Sequence, residues 1–276
     1  MPAAMLLAAV LCQAPAVSVT VSVEPRTESI RYRFDNPSNF NTIELVPHSF
    51  EQTYDTDHVW LRAAVRYPLF RTTVRVDAGA TPAATRRADD FDTFHQPDGN
   101  VITSGTTGNA TLRAWNVAGR VTMGRVKRVE IGLAYEYRRD RWRFHDGDGV
   151  VTTTMPATVT HRVVTTRETT VSQIHAVNWV AEGEKKAGPR GTVAVTLTAA
   201  PVALARLTVE LPDKYPGQLL AYHAKVAAVD VAAWYRRAFG GWVLAAGARA
   251  GRSFSWSRSA QMHLAGASLL VEVGRR

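Results

Sequence analysis

Cysteine is nearly absent from this sequence, since the 276 residues contain one, Cys12. An apolar run, Met5 to Cys12, precedes Ala14-Pro15-Ala16, a small-x-small pattern of the kind that signal peptidase cleaves. Residues 1–16 are therefore predicted to be a signal peptide, and residues 17–276 a single exported domain. The alternative is that the run forms an apolar first strand. Removal of a signal peptide would leave no cysteine, which excludes disulfides and thiolate metal sites.

Long apolar runs and helical periodicity are also missing. The longest apolar run, Ala238 to Ala248, has about half of the roughly 20 residues that a transmembrane helix needs. The 3.6-residue period of amphipathic helices is almost absent. The sequence contains no Gly-x-Ser-x-Gly element, Walker loop or dinucleotide fingerprint, and no two histidines stand at a metal-ligand spacing. We therefore expect neither a cofactor nor a bound metal.

Acidic residues are outnumbered by basic ones. The chain has 33 Lys and Arg against 24 Asp and Glu, a formal net charge of +9 and a pI near 10. Such an excess suits nucleic acid, an anionic membrane surface or acidic substrates. Aromatic and basic residues do not interleave as they do on nucleic-acid-binding surfaces, so no nucleic-acid partner is expected.

Alternation of apolar and polar residues, the pattern of β-strands, runs through most of the chain. Ten segments show it: 17–34, 42–67, 71–81, 110–123, 126–145, 168–183, 192–211, 219–235, 242–257 and 261–274. The eighth segment keeps its alternation only with a register shift near Asp230, which predicts a β-bulge.

The connections between these segments alternate in length. Tight or modest turns at 68–70, 124–125, 184–191 and 236–241 alternate with long connections at 82–109 and 146–167. One trimmed and one elaborated end are typical of outer-membrane barrels, and an even number of strands closes the sheet so that no edge meets the bilayer. The sequence therefore predicts an all-β fold, a ten-stranded antiparallel transmembrane β-barrel with long extracellular loops, in the outer membrane of a Gram-negative-type bacterium.

A soluble two-sheet sandwich is the alternative, because its strands also alternate. The charged residues of the strands would then form its solvent face. Trp and Tyr at the ends of apolar stripes and the alternating loop lengths favour the barrel. A ten-stranded barrel is narrow, and paired Arg and Glu side chains would fill it, which argues against a wide diffusion pore.

The stretch "VEIGLAYEYRRDRWRF" shows what the apolar stripe faces. From Val129 to Tyr137 it has about nine residues, the length that crosses a bilayer at barrel tilt. Arg139, Arg141 and Arg143 continue the same face at the height of lipid phosphates. Guanidinium groups suit bidentate phosphate contacts, so we expect them to bind membrane lipid, specifically lipopolysaccharide. A solvated basic strand tip is the alternative.

The connection 82–109 contains the motif "RRADDFDTFHQPDG". Asp90 and Asp92 form an Asp-x-Asp pair in it, and His95 follows three residues later. Neighbouring carboxylates can hold and orient a water molecule for hydrolysis. A solvated acidic loop or a casual cation site is the alternative.

Three segments of the chain resemble parts of the omptins, outer-membrane endopeptidases built as ten-stranded barrels that extend well beyond the membrane. "ESIRY" resembles the end of the first omptin strand, "ADDFDTF" the aspartate pair of the second loop, and "ELPDKYPG" the fourth-loop segment with the catalytic Asp and His. The match is to the whole strand order rather than to a long identical stretch. The resemblance implies that Asp90, Asp92 and Asp213 place water and that Glu28 recognises a basic side chain of a peptide substrate.

The chain departs from the omptin pattern at the histidine, where it has Tyr215. Tyrosine is a poor base near neutral pH, so His95 or His223 would have to substitute. Two functions therefore stay open. One is a surface endopeptidase, a hydrolase, that uses the three aspartates. The other is a non-enzymatic outer-membrane barrel for adhesion, ligand binding or envelope structure.

Overall fold

The computed structural model describes residues 17–35, 48–69, 72–126, 128–164, 168–212, 217 and 219–275. The described chain forms eleven strands: β1 (Ser18–Asp35), β2 (His48–Leu69), β3 (Thr72–His95), β4 (Val101–Val126), β5 (Val129–Thr154), β6 (Ala157–Val164), β7 (Glu168–Lys186), β8 (Gly191–Glu210), β9 (Leu219–Phe239), β10 (Trp242–Ser255) and β11 (Ala260–Arg275). The predicted signal peptide and Asp213 lie outside the described residues. Within those ranges no helix is long and apolar enough to cross a membrane.

The strands form one antiparallel sheet that closes on itself. Strands adjacent in the chain pair in turn, except that β6 and β7 both pair with β5, and β1 pairs with β11 to complete the ring. Residues 129–144 of β5 pair with β7, and residues 147–154 pair with β6. β6 and β7 therefore share one position in the wall. The barrel therefore has ten wall positions, and the predicted fold class is confirmed.

Large apolar side chains on the outer surface form a band that encircles the barrel over about half of its height. Its segments are 17–25, 59–69, 72–80, 115–123, 129–137, 177–183, 193–204, 229–239, 242–250 and 265–273. Trp115 and Tyr137 pack together at its upper border, with ring centroids 5.0 Å apart, and Trp242 lies at its lower border. Exposed apolar residues on so many strands would be costly in water, so these segments are the membrane-spanning part.

The lumen changes character along the barrel axis. At membrane height charged side chains pair with one another, for example Glu24 with Arg26 at 2.7 Å and with Arg62 at 2.8 Å. Above the membrane an apolar and aromatic core takes over. Its largest members are Ile30, Tyr32, Phe34, Phe50, Tyr54, Leu112, Trp142, Phe144, Leu207, Leu220, Tyr222 and Met262. Side chains therefore occupy most of the described lumen, as a narrow barrel requires. They leave small cavities of about 140 Å³ each at the level of the paired charges, one of them bordered by Glu28, Trp60 and Arg138.

The predicted long connection 82–109 is mostly strand. β3 continues to His95 and β4 begins at Val101, so the turn between them consists of 96–100. The expectation was wrong because these strands stand above the membrane, where the outer face meets water and no apolar stripe marks it. The described part of the connection 146–167, residues 146–164, belongs to the β5–β6 hairpin, which extends the barrel outward.

The register shift predicted near Asp230 is also wrong. β9 pairs continuously with β10 through Asp230, and the N–H of Arg249 Nε is shared between the two carboxylate oxygens of Asp230, at 2.7 and 2.8 Å. A charged residue on the inner face interrupted the apolar pattern without interrupting the strand. The irregularity lies in β8, between Ala200 and Ala203.

Replacement of Arg138 by methionine is expected to destabilise the barrel. Its Nε donates to Asp140 at 2.9 Å, and its Nη atoms donate to Glu28 at 3.0 and 2.8 Å. Loss of this shared partner leaves two buried carboxylates undercompensated, at a cost of about 3 kcal/mol. Folded barrels migrate faster than boiled ones on detergent gels, so the temperature at which this fast band disappears should fall. Arg139→Met is the matched control, because Arg139 is exposed on the outer face. Equal transition temperatures would contradict the role of Arg138.

Candidate functional site

Asp90 and Asp92 lie on the inner face of β3, in the part of the barrel above the membrane. Between them, Phe91 points outward and is 47% exposed, whereas Asp92 is buried and Asp90 half-buried. The outward position of Phe91 follows from the alternation of a strand, which places residues two apart on one face. The aspartate pair therefore belongs to the lumen wall and not to a solvated loop.

Gln52 connects this wall to the opposite side of the lumen. It pairs with Asp90 through the β2–β3 register, and its Nε2 donates to Glu168 Oε1 at the start of β7. Its Oε1 accepts hydrogen bonds from the Tyr54 hydroxyl at 2.9 Å and from Thr170 Oγ1 at 3.0 Å. A third buried carboxylate, that of Glu168, is thereby connected through Gln52 to the strand position of the aspartate pair.

The Tyr54 hydroxyl is influenced by the carboxylates of both Glu168 and Asp90. Burial raises its pKa well above the ordinary value for tyrosine, and the charges of Glu168 and Asp90 raise it further. The hydroxyl therefore stays protonated and donates its hydrogen bond at neutral pH. Asp90, Asp92, Glu168, Gln52 and Tyr54 are called the acidic cluster below. Across the described chain, no group of three or more His, Cys, Asp or Glu side chains is arranged to hold a metal ion.

An aromatic stack borders the acidic cluster. The Tyr222 ring, from β9, stacks on Phe34 of β1 with centroids 4.6 Å apart and on Phe50 of β2 with centroids 5.5 Å apart. Phe50 pairs with Asp92 in the β2–β3 ladder, so the stack begins beside the aspartate pair. The aromatic rings therefore occupy the lumen directly beside the aspartate pair.

Glu28 lies deeper in the lumen than the aspartate pair. It pairs with Thr56 on β2, whereas Gln52, level with Asp90, pairs with Tyr32 four residues farther along β1. Its carboxylate accepts hydrogen bonds from Arg138 and, at 2.7 Å, from Arg26. Burial alone would raise the pKa of Glu28, but these two guanidinium groups outweigh it and hold the pKa well below its usual range. Two cations of the chain itself therefore neutralise Glu28.

The two histidines suggested as substitutes for the omptin base do not face the acidic cluster. His95 is exposed at the end of β3. His223 is exposed on the outer face of β9, where it pairs with Arg206 of β8. His58 does point into the lumen, but at a lower level, where Trp60 Nε1 donates to its Nε2 at 2.7 Å.

Arg139, Arg141 and Arg143 lie where the sequence predicts them, exposed on the outer face of β5 directly above the membrane band. Three more exposed cations lie on the same side of the barrel: Arg113 on β4, Arg206 on β8 and Lys225 on β9. We call these six residues the basic patch. Beneath them lies an aromatic ledge in which the Tyr135 hydroxyl and His175 Nδ1 are 2.7 Å apart. Such a combination of cations above aromatic rings suits the headgroup level of a membrane.

Sequence reasoning found the aspartate pair through its motif but missed Glu168 and Gln52. Gln52 carries no motif, and its hydrogen bond to Glu168 joins residues 116 positions apart. Asp213, the third predicted catalytic residue, lies outside the described chain. Its role, like those of Asp90, Asp92 and Glu28, stays a prediction.

Comparison with known proteins identifies the architecture. No family model matches the chain, and no curated protein matches it. The outer membrane protease OmpT from Escherichia coli matches over 95% of this chain and 97% of its own, with a TM-score of 0.72 and 9% identity. Weaker likenesses include the translocator domain of the autotransporter NalP from Neisseria meningitidis (12% identity, 99% of this chain and 94% of that one, TM-score 0.35) and the toluene transporter TodX from Pseudomonas putida (8%, 96% and 90%, TM-score 0.30). The chain therefore has the omptin-like barrel fold of Gram-negative outer-membrane proteins, at an identity that speaks to architecture alone.

Proposed function

We propose that the chain is a surface endopeptidase of the outer membrane in which Asp90 and Asp92 hold and activate the attacking water. The observation that supports this most directly is the placement of both carboxylates on the inner wall above the membrane, beside the buried Glu168. An acidic pair on a strand of the inner wall is held more rigidly than one on a solvated loop, and rigidity suits the activation of a water molecule.

The chemistry asked of the site is peptide hydrolysis. One carboxylate of the pair accepts a proton from water while the water oxygen bonds to the scissile carbonyl carbon. The carbon–nitrogen bond then breaks, and the same carboxyl returns its proton to the leaving amine. Asp213 is proposed to complete the site from the segment between β8 and β9.

The proposed substrate is a peptide with basic residues. The three carboxylates of the acidic cluster attract a cationic side chain at the level of the cleaved bond. We retain Glu28 as a proposed recognition residue from the omptin resemblance. A substrate cation would there compete with Arg138 and Arg26, which already occupy the carboxylate.

Substitution of the aspartate pair tests the activity. In a dibasic fluorogenic peptide assay with lipopolysaccharide present, Asp90→Asn and Asp92→Asn are each expected to lower kcat/KM about 100-fold or more, as for loss of a general base. Asp89→Asn is the matched control, because Asp89 is on the exposed side of β3, where its carboxylate accepts a hydrogen bond from Thr107 Oγ1 of β4. Equal rates in the Asp92 and Asp89 variants would exclude the pair. Alanine variants of the eight histidines, in the same assay, would identify any histidine that acts with it.

A non-enzymatic barrel is the second candidate. It is favoured by the neutralised state of Glu28 and by the Phe34–Tyr222–Phe50 stack, which occupies the lumen next to the aspartates. A correctly folded wild-type barrel that binds lipid but hydrolyses no peptide would support this candidate over the first.

We also propose that the basic patch binds the phosphate groups of lipopolysaccharide. The triple variant Arg139→Gln, Arg141→Gln, Arg143→Gln removes three exposed guanidinium groups and is expected to weaken binding about tenfold or more at low salt, with a smaller difference at high salt. The control triple Arg86→Gln, Arg252→Gln, Arg258→Gln makes the same charge change at exposed positions elsewhere on the barrel. Equal affinities of the two triples, measured by titration of the refolded barrel, would refute the assignment to the patch.

A further inference from the structure

β6 is the terminal strand of the sheet. It pairs with the upper half of β5, and no described strand pairs with its other edge. Its eight residues present about 27 Å of backbone at roughly 3.4 Å per residue. Residues 157–161 are exposed, and the Val159 side chain is 66% exposed. Unpaired N–H and C=O groups of this kind are a template for an added strand.

The sequence of β6, "ATVTHRVV", favours pairing instead of preventing it. Five of its eight residues are the β-branched Thr158, Val159, Thr160, Val163 and Val164, which have high β-propensity. Proteins commonly protect exposed edges with lysine, proline or a bulge. β6 contains one charged residue, Arg162, but neither lysine nor proline, and its register with β5 is continuous.

The tip of the β5–β6 hairpin is held firmly. Asn100 Oδ1, in the turn between β3 and β4, accepts hydrogen bonds from Thr154 N at 3.0 Å, Thr154 Oγ1 at 2.9 Å and Met155 N at 2.9 Å. Thr154 Oγ1 in turn accepts a hydrogen bond from Val101 N at 2.8 Å. The edge is therefore preorganised, which lowers the entropy lost when a partner binds.

The sheet register relates this edge to the aspartate pair. Asp92 pairs with Ser104, Ser104 with Val151 and Val151 with Thr160, so the four residues form one row across β3, β4, β5 and β6. A strand added to β6 would lie four strand spacings from β3, about 19 Å along the wall. An extended chain covers that distance in about six residues.

We propose that the free edge of β6 binds an extended polypeptide segment by strand addition. Resting on the proposed endopeptidase function, we assign this segment to the substrate, about six residues from the cleaved bond by the spacing above. Backbone groups recognise backbone groups, so the substrate class is an extended, unfolded stretch of protein whose flanking segment has high β-propensity. Short peptides would reach the acidic cluster without this contact.

Direct binding tests the edge without catalysis. The probe is a labelled eight-residue peptide of alternating Thr and Val, titrated against the folded Asp92→Asn barrel by fluorescence anisotropy. The same peptide methylated at every backbone nitrogen cannot form the ladder and is expected to bind about tenfold more weakly or worse. Hydrogen exchange should slow at β6 amides when the unmethylated peptide is added. Equal affinities, or protection elsewhere with β6 unchanged, would overturn the proposal.

Asn100→Ala tests the contribution of the anchored hairpin tip. It removes the acceptor of three hydrogen bonds and is expected to weaken peptide binding about fivefold, since the edge loses preorganisation. Asn109→Ala is the matched control, because Asn109 is exposed on β4 away from the tip. Both variants should keep the fast-migrating band of the folded barrel, so a folding defect is distinguishable from a binding defect.

Cleavage assays separate the two proposals. A long dibasic substrate with a Thr-Val segment six residues from the cleaved bond should have a lower KM than one with a Gly-Ser segment there, at similar kcat. Peptide binding to β6 without any cleavage supports strand addition and overturns the endopeptidase function. Cleavage without segment preference or β6 binding overturns the edge proposal alone. Concentration-dependent protection of β6 without peptide assigns the edge to a second copy of the chain and also overturns it.

Discussion

Satisfaction of backbone hydrogen bonds in lipid is the constraint on which this structure depends. Hydrocarbon offers no partner for an unpaired N–H or C=O, so a sheet that crosses a membrane must close. The pairing of β1 with β11 provides that closure. Closure places apolar residues outside and leaves the inner face free to carry charge, which is why Glu24, Arg26 and Arg62 pair inside the membrane-level lumen.

The inner surface therefore has two zones with different tasks. The lower zone is ionic and surrounds Trp60, whose ring has the guanidinium groups of Arg26, Arg62 and Arg138 5.3, 5.3 and 5.5 Å from its centroid. Cations over an indole face are attracted by its quadrupole, so these contacts hold the ionic layer together around Trp60. The upper zone is aromatic and carries the acidic cluster. The acidic cluster lies on the extracellular side of the ionic layer, because Gln52 and Asp90 are farther from the membrane than Glu28.

The sequence predicted the strands where they cross the membrane, but not their continuation above it. Within the membrane each strand must show an apolar residue at every second position, so ten segments and their order were recognisable. Above the membrane, residues 82–95 continue β3 with water outside, and the pattern that marks a strand disappears. The aspartate pair was recognised by its local motif. Glu168 and Gln52 were not, because their contact depends on the closure of the barrel and no local pattern encodes it.

The same division explains how fold and chemistry can diverge. Many sequences satisfy an alternating pattern, so this chain and OmpT share a barrel fold, with a TM-score of 0.72, at only 9% sequence identity. A catalytic site tolerates far less change, and the resemblance of "ELPDKYPG" to the omptin segment implies such a change, with Tyr215 where omptins have a histidine. Function must therefore be argued from the site and not from the fold. The outer edge of β6, which no described strand pairs, follows the same logic: it lies above the membrane, where water can satisfy the backbone groups of an unpaired strand.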